Sequence, residues 1–181
     1  MEIHLSWYIP LDKQKKALSI QEMALFGVLG ALTFALQVAM APLPNIEPVS
    51  LLVMIFAVVF GWKCLYPVYV FVVMEILFYG ISTWNIYYLY VWTVLALGAI
   101  MMRKQQHPLA WALLGGVFGL FFGALCGIVD IFIGGFAYAG AKWVSGIPFD
   151  LLHCGGNFGI TLIMFKPLRN LMEKLYVQMK R

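Results

Sequence analysis

The sequence predicts an all-α membrane protein, six transmembrane helices with both termini cytoplasmic, and three observations predict it. Hydrophobic residues make up 63% of the 181 positions and charged residues only 11%, with a mean hydropathy of +0.89. The aliphatic runs are continuous and lack the strict alternation that a membrane β-barrel needs. Basic residues fall at the ends of these runs and, on a six-span reading, eleven of the twelve lie on one side. Lipid offers no hydrogen-bond partners, so each backbone segment must satisfy itself, at about 20 mostly apolar residues per crossing.

Taken in order, the spans are expected at 20–42, 48–62, 64–81, 84–102, 108–139 and 148–166. The second is short. The fifth is long enough that it must tilt, kink or project, and its glycines suggest a break near Gly127 or Gly134. Residues 1–19, with Lys13, Lys15 and Lys16, show no small-residue cleavage site and read as a retained cytoplasmic segment. Residues 20–168 form the membrane domain, and 169–181 a cytoplasmic tail. Lys and Arg near span ends are held on the cytoplasmic side. Lys63, Arg103, Lys104, Lys166, Arg169, Lys174, Lys180 and Arg181 join the N-terminal lysines there, and Lys142 alone faces out. The net charge of +4 therefore needs no nucleic acid to explain it.

The acidic residues distribute differently. Glu47 falls in the first outer loop, Asp150 at the outer start of span six, and Glu75 and Asp130 inside spans three and five. A charge near the bilayer centre costs about 2.5–3.5 kcal/mol on insertion scales. Glu75 and Asp130 should accordingly face protein or a water-filled cavity, or be protonated. A structural helix–helix hydrogen bond and a functional role both stay open for them.

Two stretches point to a ligand site at the outer end. Span four opens with "TWNIYYLYVW", in which Trp84, Tyr87, Tyr88, Val91 and Trp92 share one helix face. Interfacial anchoring explains any single ring as well as a ligand does, but five positions over two turns favour a wall or a tightly packed helix contact over a simple belt; Tyr90 points elsewhere and reads as an anchor. Span six opens with "GIPFDLLHCGGNFGIT", where Asp150, His153, Asn157 and Thr161 form one polar stripe. Gly155, Gly156 and Gly159 would admit a close neighbour, and Pro148 sits near the first turn, where its missing donor costs nothing.

Two ladders of small residues remain: Gly27, Ala31, Ala35 and Ala39 on span one, and Gly115, Gly119, Gly123 and Gly127 on span five. Such faces allow the close packing that replaces a hydrophobic drive between helices in lipid. On span five they suit packing within the chain; on span one an external partner is an equal reading. The chain has no phosphate-binding loop, no H-E-x-x-H and no G-x-S-x-G. Cys64, Cys126 and Cys154 are scattered and indicate neither a disulfide framework nor a metal site. Asp150 and His153 have no nucleophile beside them, so the chain reads as a non-enzyme.

A small-residue first helix ("ALTFALQVAMA"), a "PNIEPVS" elbow, an aromatic fourth helix and the closing "GIPFDLLHCGGNFGITLIMFKPL" together resemble the substrate-binding S-components of energy-coupling factor (ECF) vitamin transporters. The resemblance covers most of residues 20–168, and the closing stretch is its most specific part. It implies a subunit in the plasma membrane of a prokaryote that captures a vitamin outside and releases it inward. It further implies a transmembrane coupling subunit docking on Gly27, Ala31, Ala35 and Ala39, and two ATPase subunits that use ATP. The substrate would meet Asn45, Glu47, Trp84, Tyr87, Tyr88, Trp92, Asp150, His153 and Asn157. Cobalamin is the favoured substrate, with no covalently bound cofactor; pyridoxine, a thiamine precursor or a queuosine-type base would use the same aromatic wall. A non-transporting membrane scaffold would explain the ladders and leave the polar stripe without a role.

Overall fold

The computed structural model describes residues 17–43 and 46–180, and among these every regular element is helical. The helices are α1 (Ile20–Met40), α2 (Val49–Phe60), α3 (Leu65–Tyr79), α4 (Thr83–Met101), α5 (Pro108–Leu120) and α6 (Phe122–Met179). A 3₁₀ turn, Gly61–Cys64, joins α2 to α3. Four helical stretches are long and apolar enough to cross a membrane: Ile20–Met40, Val49–Tyr79, Thr83–Met101 and Pro108–Met179. Large apolar side chains such as Leu32, Val73, Leu77, Leu113, Val117 and Ile163 are exposed around the bundle. A water-soluble surface would not carry them in such number.

Helix α2 is the centre of the molecule. "VSLLVMIFAVVF" is apolar on every side, and every one of its residues is buried. Twelve residues rise only roughly 18 Å, a length that suffices for a helix enclosed by protein. At Gly61 (φ 58°) the chain turns back, so α3 runs antiparallel to α2 and alongside α1. The α1/α3 contact is tight at Gly30, where a Cβ would stand 2.6 Å from Val70. Phe26 meets Tyr66 near one end of this pair and Phe34 meets Phe78 near the other.

The longest helix contains the sharpest reversal. Gly135 (φ 80°, ψ 179°) breaks α6 into arms 122–134 and 136–179, in a conformation only glycine adopts without strain. The break expected near Gly127 or Gly134 thus falls at Gly135, and the segment between the fifth and sixth expected spans is helical. Pro148 accordingly sits inside a helix rather than near its first turn. It forgoes one backbone hydrogen bond, to the Val144 carbonyl, without ending the arm.

Glycines zip the two sides of this hairpin together. A Cβ on Gly119 would lie 2.7 Å from the His153 carbonyl group, and one on Gly123 would lie 2.6 Å from Asp150 Oδ2. Gly115 faces Thr161 and Asn157, and Trp111 stacks on Phe165 with centroids 4.5 Å apart. The span-five ladder therefore packs within the chain at Gly115, Gly119 and Gly123, while Gly127 has open space beside it. Gly155 and Gly159 also face open space, so the close approach comes from the opposite side of the seam from the one "CGGNFG" suggested.

These pairings give the bundle two distinct ends. At one, Glu22 gathers Lys63, Tyr176 and Lys180, and Arg169 lies by the Gln105 carbonyl. Residues 169–179, expected as a tail, continue α6 and join this closure. Lys142, Asp130, Glu47 and Asp150 stand at the other end.

Candidate functional site

A cavity of about 720 Å³ opens at that second end, between α1, the elbow before α2, α3, α4 and both arms of α6. Of the residues expected to meet a substrate, Glu47, Trp84, Tyr87, Tyr88, Trp92, Asp150 and His153 line it. Asn157 lies deeper, fully buried beneath the floor, and Asn45 is outside the described residues.

The aromatic wall follows from helical spacing. Trp84, Tyr88 and Trp92 repeat every four residues along α4, with centroids 6.3 Å apart for the first pair and 5.3 Å for the second. Phe71 from α3 and Phe122 from α6 extend the stack, each packing at about 6 Å on Trp92. Val91 belongs to the same face but is wholly buried in the core. Tyr90, off this face, donates its hydroxyl to the Leu125 carbonyl at 2.6 Å, tying α4 to α6.

The elbow explains itself through Glu47. Pro48 supplies no N–H, and the Glu47 carboxylate takes the place of a capping side chain for α2, accepting from the N–H groups of Val49 and Ser50. Ser50 Oγ donates to it at 2.7 Å, and His153 Nε2 lies 3.2 Å from it. Since a carboxylate only accepts, that contact requires the proton on Nε2. Asn157 Nδ2 in turn donates to Ser50 Oγ at 3.0 Å. Two residues of the polar stripe of α6 thus support the elbow: His153 and Asn157 hold Glu47 and Ser50, and Asn157 acts on the cavity through them.

Three further carboxylates, far apart in the sequence, meet at the cavity in different surroundings. Asp130 Oδ1 accepts from Lys142 at 2.8 Å and from Tyr87 at 2.5 Å, and Lys142 also donates to Tyr87 at 2.8 Å. Asp150 Oδ1 accepts from the Gly123 N–H at 3.1 Å, whereas its Oδ2 has no hydrogen-bond partner among the described residues. The Trp143 indole is near enough to bear on this carboxylate without closing a bond to Oδ2. Glu75 Oε1 accepts from Gln37 at 3.1 Å. Both Asp150 and Glu75 are buried and line the cavity. Trp92 Nε1, also buried, has no partner among the described residues either.

Sequence reasoning missed Gln37, Tyr79, Asn85, Trp143 and Phe149, which also line the cavity. Asn85 belongs with the start of α4, where its Oδ1 accepts from the Ser82 N–H at 2.5 Å. The Asp130–Lys142 pair was the accessible signal: in the sequence this carboxylate and lysine flank the glycines of the turn.

On α1 the expected docking residues form an outward face. Ala35 and Ala39 are exposed, Gly27 and Ala31 are half-buried, and a Cβ on Gly27 would meet nothing. The small residue that α1 uses inside the bundle is Gly30. Comparison of the chain with family models, with curated proteins and with solved structures finds no match.

Proposed function

We propose that this chain is the substrate-binding S-component of an ECF-type vitamin transporter, crossing a prokaryotic plasma membrane six times with both termini cytoplasmic. The observation that carries the reading is the cavity: about 720 Å³, at one end of an apolar helical bundle whose other end is closed. Its aromatic wall and few placed polar groups follow the usual division of labour in small-molecule sites. Folding back at Gly61 and Gly135 within two of the four long apolar stretches supports six passes, and on that reading positive-inside sorting would put Lys63, Arg169 and Lys180 on the cytoplasmic side.

The volume lies in the range of roughly 300–1,000 Å³ that encloses drug-sized ligands. This favours pyridoxine, a thiamine precursor or a queuosine-type base over a complete cobalamin, whose corrin ring and nucleotide loop exceed that class. The outward small-residue face at Gly27, Ala31, Ala35 and Ala39 is the docking surface for a coupling subunit, and ATP hydrolysis falls to two partner ATPases. A scaffold would leave the cavity without a role.

Native mass spectrometry of the purified chain, after growth in vitamin-rich medium, tests capture directly. A stoichiometric small molecule is expected. A chain that stays empty in that medium sinks the reading. Ala35→Trp should then abolish uptake and co-purification of the coupling subunit while the isolated chain keeps its ligand, because the indole blocks close helix approach.

A further inference from the structure

Four carboxylates face the cavity, those of Glu47, Glu75, Asp130 and Asp150, against Lys142 and His153. Lys142 pairs with Asp130 and His153 with Glu47. Among the described residues no cation forms an ion pair with Glu75 or Asp150, although both are more than nine-tenths buried. Glu75 has a neutral amide as its partner, and Asp150 has a backbone N–H on one oxygen and no hydrogen bond on the other. Buried carboxylates left this way are costly unless something else completes them.

We propose that the substrate carries a positive charge, a protonated amine or a cationic nitrogen heterocycle on a flat ring, which Glu75 and Asp150 receive while the ring lies against Trp84, Tyr88 and Trp92. The inference rests on the cavity being the capture site proposed above and names the class of molecule it takes. Carboxylates supply charge-assisted hydrogen bonds to a cationic N–H, and indole and phenol faces attract the same charge through the ring quadrupole. The two features select one chemistry. An anionic vitamin would meet an uncompensated negative field, and a neutral one would leave Asp150 Oδ2 with at best a neutral donor. Lys142, bonded to both Asp130 and Tyr87, is engaged in the wall and is not the receiver of an anion.

Isothermal titration calorimetry on the full chain in detergent micelles separates charge from shape. The probes are pairs that share a ring and differ in charge: pyridoxamine against pyridoxine, thiamine against thiochrome, and 7-aminomethyl- against 7-cyano-7-deazaguanine, with cyanocobalamin alongside. In at least one pair the cationic member should bind tighter by roughly tenfold or more, the worth of one hydrogen bond to a charged group. Glu75→Gln and Asp150→Asn are nearly isosteric and should each shrink that preference severalfold, with the elution volume of the protein unchanged. The wild-type comparison stands without either variant if one fails to fold.

Tighter binding of a neutral member, a preference that survives both substitutions, or no binding by any cationic probe overturns the proposal. Capture itself is read separately: a neutral or anionic molecule that co-purifies sinks the charge assignment and leaves the transporter reading standing, whereas a chain empty in every assay sinks both.

Discussion

Glu22 at one end of the bundle and Glu75 and Asp150 at the other are buried carboxylates in opposite surroundings. At the closed end Glu22, 1% exposed, accepts from Lys63 at 3.0 Å, Lys180 at 2.8 Å, Tyr176 at 2.7 Å and the Ser19 N–H at 3.1 Å. At the cavity end, among the described residues, Glu75, 7% exposed, has one amide, and Asp150 keeps an oxygen without a hydrogen bond. The first arrangement ties the start of α1, the turn before α3 and the end of α6 into one knot. The second leaves buried polar capacity unfilled in the lining of the cavity. A satisfied cluster holds a structure together; an incomplete one, in a cavity of this size, is what a ligand site looks like before the ligand arrives.

The contrast breaks most visibly at Glu22. Glu22→Ala leaves two ammonium groups and a buried phenol without their acceptor, and removing one partner of a buried ion pair costs about 3–5 kcal/mol. A large fall in the unfolding midpoint, followed by tryptophan fluorescence in detergent, is expected. A midpoint indistinguishable from wild type would mean that the knot contributes little.

Next in size is the seam that carries the cavity end on the closed end. Gly119→Ala pushes a methyl group into the backbone of His153, which cannot move as a flexible side chain can, and should cost about 1–3 kcal/mol. Gly127→Ala enters open space and, with alanine the better helix former, should leave stability unchanged or slightly raised. Equal effects from the two would show that the ladder is not the seam.

Lys142→Met tests the Lys–carboxylate pair found at the cavity end among the described residues. Asp130 keeps only Tyr87 and loses a partner whose side chain is itself 43% exposed, so screening discounts the loss to about 1–2 kcal/mol. The measurable outcome is a modest drop in the same midpoint, smaller than that of Glu22→Ala. A drop as large would put the two ends on the same footing.

Much of this is legible in the sequence, for identifiable reasons. Periodicity places Trp84, Tyr88 and Trp92 on one face because helical spacing alone decides it, and the all-round apolarity of "VSLLVMIFAVVF" accords with a fully buried α2. The pattern Ser19-x-x-Glu22 is itself a start signal for a helix, and the capping box it forms is present. What local pattern does not supply is pairing across the bundle. Nothing near Glu22 announces Tyr176, and nothing near Glu47 announces His153, since these contacts depend on which helices meet. The reversal at Gly135 escapes a local reading because several neighbouring glycines offer the same backbone freedom, and tertiary packing chooses among them. Asn157 shares the stripe of the cavity-lining residues Asp150 and His153, yet its depth beneath Ser50 shows why a face alone does not give distance from the mouth.

The smallest expected effect is the sharpest test of the contrast. Glu75→Gln keeps shape and a hydrogen-bonding terminus and removes only the charge or the acidic proton. If Glu75 were structural in the way Glu22 is, the substitution would lower stability by a comparable amount. With one neutral partner and no cation to abandon, the change should instead stay within about 1 kcal/mol, or stabilise the protein, as expected where a site holds polar groups for function at some cost to the fold. The carboxamide introduced by Glu75→Gln can still bond the Gln37 amide, so the α1/α3 contact survives. Unfolding of Glu75→Gln and of Glu22→Gln under identical detergent conditions gives the comparison directly: the latter midpoint should fall well below the former. Equal losses would erase the distinction between the two ends and, with it, the reason for seeing an unfinished site at one of them.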